Sequence, residues 1–274
     1  MIRQIAVPLA LLAASPAAAH EFWLSPSTYR ALARDTVAIS TWVGTGFRGE
    51  AKPWAAPRAI RFTLRTSRES DLRPAATNGD LTWARFVVPD GGGAMIGYES
   101  DFAEVELEAG EFDRYLALEG LDGPLRARRN LREHAGPGRE RYARCAKTWI
   151  AGDDAKRATS PLGLSLELVP LGDPSKTAPL RLLLLDHGKP VVGALVRGWN
   201  RPLEGAGRPV DPATRDSVEM VVRARTDARG MVTLDTSRPG EWLVSAVHMI
   251  PSEDRTWAEW QSRWASLTFA RSGR

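Results

Sequence analysis

Thr36-Val37-Ala38-Ile39-Ser40-Thr41-Trp42-Val43 alternates between apolar and polar or small side chains, and this pattern sets the fold class of the 274-residue chain. A period of two is typical of a strand with one buried face. The pattern recurs in Ile60-Arg61-Phe62-Thr63-Leu64 and in residues 81–88, and Pro89-Asp90-Gly91-Gly92-Gly93 follows as a turn. Short strands between turn signals predict a mostly β protein of the sandwich type.

The same alternation resumes in the second half of the chain. Residues 152–162 between the halves are charged and contain a Ser-Pro pair, which is typical of a domain boundary. The expected architecture is two β-sandwich domains, about 20–155 and 160–274, with one or two short helices. The clearest helical spacing covers residues 111–120 and ends on a glycine. The strands expected in the second half are residues 180–185, 191–199, 220–225, 231–234 and 242–247.

The first residues have the pattern of a secretory signal peptide. Arg3 supplies a positive charge, residues 5–14 form an apolar run, and Ala17-Ala18-Ala19 is a small-residue cleavage site. A membrane span needs about 20 apolar residues, so this run is too short to be one. We expect residues 1–19 to be removed and the protein to be soluble in the periplasm, with His20 as its first residue.

Several classes of protein do not fit the sequence. The formal net charge is +4 and the basic residues are spread thinly, which disfavours nucleic-acid binding. Cys145 is the single cysteine, so no intrachain disulfide forms, and we expect a buried, inert thiol. The chain carries no G-x-S-x-G, P-loop or dinucleotide-binding motif. We therefore do not predict an enzyme.

Cleavage after Ala19 would give His20 special chemistry. Its α-amine and imidazole could then chelate a transition metal through two nitrogens, and imidazole suits zinc, copper, iron and nickel. The other histidines are His134 in a polar loop, His187 in a hairpin turn and His248 at a strand end. We expect plain solvent exposure for His134 and a turn role for His187. No H-E-x-x-H or C-x-x-C motif predicts a closed zinc site.

Three of the ten tryptophans follow a helical spacing. Trp257, Trp260 and Trp264 lie at i, i+3 and i+7, which predicts one face of a helix. Core packing is the usual meaning of such a stripe. An exposed aromatic platform that binds sugars is the alternative.

Four segments, spread in order along the chain, resemble an uncharacterised family of bacterial periplasmic proteins, a domain-of-unknown-function family. Its members are often labelled as the periplasmic component of a cobalt or nickel ABC-type uptake system. The resemblance implies that His20 and His248 form a metal-binding pair across the domain boundary, with Glu21 as the nearest oxygen ligand. The segments are His20-Glu21-Phe22-Trp23-Leu24-Ser25-Pro26, Tyr115-Leu116-Ala117-Leu118-Glu119-Gly120-Leu121, Arg139-Glu140-Arg141-Tyr142-Ala143-Arg144-Cys145-Ala146-Lys147 and Gly240-Glu241-Trp242-Leu243-Val244-Ser245-Ala246-Val247-His248.

The second half also resembles a prealbumin-like or carboxypeptidase-regulatory-like β-sandwich, an Ig-like architecture. The resemblance lies in residues 186–196, 226–234 and 239–244. Modules of this kind usually bind a ligand or support another domain. The resemblance does not identify the ligand, because one fold serves many functions.

The main hypothesis is therefore a periplasmic binding protein for a divalent transition metal, nickel or cobalt, with His20, His248 and Glu21 as ligands. It would present the ion to an inner-membrane uptake system without spanning the membrane itself. Three alternatives stay open: a copper carrier, a copper monooxygenase that uses the same amino-terminal chelate, and a structural β-protein that binds no metal.

Overall fold

The computed structural model describes residues 20–131, 135–205, 208–214 and 216–272. The chain is mostly β with a few short helices, as predicted. The first nine strands are β1 Glu21–Pro26, β2 Thr36–Thr45, β3 Arg48–Ala51, β4 Ala59–Arg65, β5 Glu69–Asp71, β6 Thr82–Val87, β7 Ala94–Ser100, β8 Ala103–Leu107 and β9 Gly138–Ile150. The others are β10 Leu166–Pro170, β11 Leu180–Asp186, β12 Lys189–Pro190, β13 Leu195–Arg201, β14 Met220–Arg225, β15 Met231–Leu234, β16 Gly240–Pro251 and β17 Trp260–Arg271.

The helices are short. They are α1 Ala109–Leu118, α2 Asp122–Asn130 and α3 Ala155–Thr159. Helix α1 overlaps the helix predicted at residues 111–120, and it buries Phe112, Tyr115 and Leu116. Gly120 follows it with a φ of 67°, a left-handed conformation that glycine adopts without strain and that commonly ends helices.

A nine-stranded sheet forms the centre of the molecule. Its order is β14-β13-β16-β17-β9-β7-β4-β5, and β8 also pairs with β9. Strands β9 and β17 pair in parallel, and the other pairs in this sheet are antiparallel. The two sides of this parallel seam come from the two segments predicted as domains, 20–155 and 160–274. Both segments therefore contribute to one sheet.

Each face of the central sheet is covered by a different layer. One face packs against the sheet of β10, β11, β12 and β15, with leucines such as Leu168 and Leu182 against Trp149 and Trp242. The other face packs against α1 and α2 and against the sheet of β1, β2, β3 and β6. This stacking of layers is the β-sandwich arrangement that the alternating strands predicted.

Strand β1 meets the central sheet with its unpaired edge. It pairs with β2 on one side only. On the other side, Thr268 donates a hydrogen bond to the carbonyl of Leu24 at 2.7 Å, and Arg144 donates to the carbonyl of His20 at 2.7 Å. Side chains of the central sheet thus bond two backbone carbonyls at and beside the free edge of β1, an edge that could otherwise pair with another chain.

A buried ion pair, Lys147 with Glu167, helps to hold residues 152–162 between the two halves of the chain. The carboxylate of Glu167 accepts hydrogen bonds from the backbone N–H groups of Leu162, Gly163 and Leu164. Lys147 Nζ lies 2.7 Å from Glu167 Oε1, and both side chains are only 1% exposed. The stretch predicted as a domain boundary is therefore held tightly against the sheet.

The predicted tryptophan helix is wrong. Trp260 and Trp264 lie on β17, and Trp257 lies in the turn before it. Residues four apart on a strand share a face, so Trp260 and Trp264 are both buried, as core packing requires. Pairing of β17 with β16 along twelve residues outweighs the helical spacing. Trp257 remains 66% exposed.

Candidate functional site

A buried cluster of carboxylates and guanidiniums lies beneath β1. Arg197 of β13 donates a hydrogen bond to Glu21 Oε1 at 3.1 Å, and its guanidinium also contacts the carboxylate of Glu119. Glu21 begins β1, and Glu119 caps the end of α1. All three side chains are buried. This one guanidinium therefore joins the first strand, the first helix and the second half of the chain.

Arg144 of β9 is the second cation of this cluster. Its Nη1 donates to the carbonyl oxygen of His20 at 2.7 Å, so the backbone of His20 is fixed to the central sheet. The guanidinium carbon lies 4.8 Å from the ring centroids of both Tyr142 and Trp264, a cation–π arrangement. The contact with the His20 carbonyl is thus made by a side chain that is itself held from two sides.

Glu140 completes the cluster on the same face of β9, four residues before Arg144. It accepts hydrogen bonds from the hydroxyl of Tyr115 at 3.1 Å and from the hydroxyl of Ser262. The remaining oxygens, Oε2 of Glu140 and Oε2 of Glu21, are buried and have no hydrogen-bond partner among the described residues. Three carboxyl groups and two guanidiniums therefore share one buried volume.

Burial shifts the acid–base behaviour of these carboxyl groups. Loss of solvation raises the pKa of Glu119 to about 7, although Arg197 opposes the shift. Burial likewise raises the pKa of Glu140 to about 7, against the hydrogen bonds from Ser262 and Tyr115. The pKa of Glu21 is also raised by burial, with Arg197 acting in the other direction. The cluster should exchange protons near neutral pH.

We expect stability to depend on these protons. An unfolded glutamate has a pKa of about 4.3, so between that value and about 7 the folded state binds more protons than the unfolded state, and stability falls as pH rises through this window. Glu140→Gln removes one such group. Urea unfolding should show a weaker pH dependence than wild type and, at pH 8, a gain of about 1–3 kcal/mol. Glu104→Gln, an exposed change on β8, is the control. An unchanged slope for Glu140→Gln would refute this assignment.

His248 belongs to a second, separate cluster. Its Nδ1 lies 2.8 Å from Oδ2 of Asp186, and Nδ1 of His187 lies 2.6 Å from Oδ1 of the same carboxylate. Arg263 Nη1 is 3.9 Å from Oδ1. Burial works against the ionised form of Asp186, but the two imidazoles and Arg263 hold its pKa below the usual range. The carboxylate thus bridges a hairpin turn and strand β16.

The structure does not bring His20 and His248 together. Arg197 and Ser245 are direct partners across β13 and β16, so their side chains share the face that meets β1. His248 is three residues beyond Ser245 on the same strand and points to the opposite face. The central sheet therefore lies between His248 and β1. Glu21, expected as an oxygen ligand, is engaged by Arg197 instead.

The remaining candidates add no metal ligands. Among the described residues, no group of three or more His, Cys, Asp or Glu side chains is arranged to hold a metal ion. Cys145 is buried as expected, and burial raises the pKa of its thiol to about 12, so it carries little thiolate. His134 lies outside the residues that the structure describes.

The comparison with protein families gives one match. A family model described as Domain of unknown function (DUF4198) covers residues 17–250. The chain belongs to the DUF4198 family. No curated protein matches the chain. The part that matches the DUF4198 model includes the carboxylates of both clusters, Arg144, Arg197, His187 and His248, whereas Ser262 and Arg263 lie beyond its end.

One further observation concerns membranes. Within the described residues of this DUF4198 protein, no helix is long and apolar enough to cross a bilayer.

Of the predicted ligands, Glu21 lies in the cluster beneath β1, and His248 lies in the other cluster. Three of the four segments that carry the family resemblance supply Glu21, Glu119, Glu140 and Arg144 to the cluster beneath β1. Arg197 lies outside them. Strand alternation is the sequence signal that could have predicted this cluster. Glu140 and Arg144 occupy the same face of a strand that continues into the core, where a buried charge needs a partner.

Proposed function

We propose that this DUF4198 protein is a periplasmic binding protein for a divalent transition metal, nickel or cobalt, which it carries as cargo to a membrane uptake system. In this proposal the ion binds at His20 after residues 1–19 have been removed. The α-amine and the imidazole of His20 are the two protein ligands, and water fills the remaining positions. An ion held in this way can be passed on, because much of its coordination shell is exchangeable.

The observation that supports this proposal is the anchoring of the chain at the carbonyl of His20 and at the next residue. Arg144 holds its carbonyl oxygen at 2.7 Å, and the next side chain, Glu21, is held by Arg197. A ligand residue whose backbone is already fixed loses less conformational freedom when it binds an ion. His20 is itself partly exposed, so an ion has access to it.

The chemistry of the donors fits the class of ion. Amine and imidazole nitrogens suit nickel, copper and cobalt better than they suit calcium or magnesium, which prefer oxygen. Glu21 acts here as an anchor rather than as a ligand, because its Oε1 accepts the bond from Arg197.

The test is a calorimetric titration of protein that begins at His20 with nickel, cobalt and copper. Acetylation of the α-amine and His20→Ala should each weaken the tightest binding roughly tenfold or more, an effect of the size seen for lost metal-site interactions. His248→Ala, which alters the other face of the sheet, should leave this binding unchanged. Equal binding by the native, acetylated and His20→Ala proteins would reject the site.

The same titration separates the alternatives. Binding of copper that is tighter than binding of nickel would favour the copper carrier, and oxygen-dependent peroxide production with copper would favour the monooxygenase. An exported protein whose first residue is not His20 would remove the basis of the proposal.

A further inference from the structure

We propose that His187 and His248 form a second metal site, for zinc, nickel or copper, and that Asp186 positions both imidazoles. The site lies on the face of the central sheet opposite to β1. It requires no processing of the chain, so it is independent of the function proposed for His20.

The hydrogen bonds determine which ring nitrogen can bind an ion. Both imidazoles approach Asp186 through Nδ1, at 2.6 Å for His187 and 2.8 Å for His248, and they use different oxygens. An ionised carboxylate only accepts, so each Nδ1 carries a proton, and in the neutral imidazole each Nε2 then keeps its lone pair for an ion. Histidines that bind metals commonly donate their other N–H to a carboxylate in this manner.

The exposed fractions of the three side chains also fit a metal site. Asp186 is 17% exposed, whereas His187 is 57% and His248 is 30% exposed. The orienting carboxylate is therefore shielded from water, and the imidazoles remain accessible to an ion. Two imidazole ligands leave the other coordination positions to water.

The backbone of His187 supports a positioned ring. Asp186 and Lys189 are direct partners in the hairpin, and the two residues between them have positive φ angles, 48° for His187 and 75° for Gly188. Such two-residue turns normally carry asparagine, aspartate or glycine at the first position. Histidine adopts this left-handed conformation more often than most residues do, and the bond to Asp186 fixes the orientation of its ring.

The positive charge of Arg263 limits the affinity for a cation that we expect at this site. Its guanidinium lies 3.9 Å from Asp186 and 5.3 Å from the ring centroid of Phe102. It offsets the carboxylate, so attraction of an ion depends on the two imidazole nitrogens rather than on net charge. We expect a site of moderate affinity, with two imidazole ligands.

The test uses the His20→Ala protein, in which the amino-terminal chelate is absent, and titrates it with zinc, nickel and copper at pH 7.5. One ion should bind, and a copper EPR spectrum should show nitrogen coupling from imidazole. His187→Gln and His248→Gln should each abolish the binding or weaken it strongly. Asp186→Asn should weaken it roughly 10–100-fold while both histidines remain. Lys189→Gln, an exposed change in the same hairpin, should have no effect.

Two results would overturn this proposal. The first is a His20→Ala protein that binds none of the three ions. The second is full affinity in either histidine variant, which would indicate adventitious binding to a single imidazole. Failure of the His20 site does not affect this experiment, because that site is already removed.

Discussion

Arg197→Met should destabilise the protein by about 3–5 kcal/mol at pH 8, because it leaves Glu21 and Glu119 buried without their cation. The loss should be smaller at pH 5, where Glu119, whose pKa is raised to about 7 by burial, becomes neutral. Urea unfolding at the two pH values measures both effects. In the fraction that remains folded, nickel binding at His20 should also weaken, because Glu21 no longer fixes the start of β1.

The control for this experiment is Arg223→Met. Arg223 is the direct partner of Arg197 across β13 and β14, but it is exposed and has no ion pair among the described residues. An exposed substitution of this kind changes stability by about 0.5 kcal/mol or less. Equal losses for the two arginines would show that the carboxylates do not depend on Arg197.

Lys147→Met should also cost about 3–5 kcal/mol, because the charge of Glu167 would remain buried without its ammonium partner. Burial lowers the pKa of Lys147, and the charge of Glu167 opposes that shift. Each buried charge is therefore stabilised by the other. The same urea experiment measures the loss. Lys189→Met, at an exposed position of β12, is the control and should change little.

A double variant sharpens this second test. Lys147→Met combined with Glu167→Leu removes both charges, and replacing a buried ion pair by apolar side chains is often nearly neutral. Part of the stability should therefore return. The recovery will be incomplete, because Glu167 also accepts the N–H groups of Leu162, Gly163 and Leu164. A double variant less stable than Lys147→Met would mean that these backbone bonds outweigh the ion pair.

The sequence predicts the fold class well because strand alternation is a local signal. Residues 36–43 lie within β2, and residues 60–64 lie within β4. The parallel seam of β9 and β17 has no such signal, since its partners are 120 residues apart in sequence. The spacing of Trp257, Trp260 and Trp264 fits one face of a helix, and only pairing with β16 places Trp260 and Trp264 on a strand.

The candidate sites were predictable only in part, for a related reason. The histidines are visible in the sequence, but the face that each one occupies depends on strand register, and a shift of one residue reverses it. His248 therefore meets Asp186 rather than His20. The sequence predicts the hairpin turn at His187, but the orientation of its ring toward Asp186 depends on the left-handed backbone of that turn, which the structure reveals.

The parallel pairing of β9 with β17 also affects how the chain folds as it is made. A chain that emerges amino end first must keep one side of β9 without its partner until β17 has been made, 120 residues later. An unpaired strand edge promotes aggregation with other nascent chains. Pairing between strands that are distant in sequence also slows folding. We expect the newly made polypeptide to need a holding chaperone, and a fragment that stops before Trp260 to aggregate.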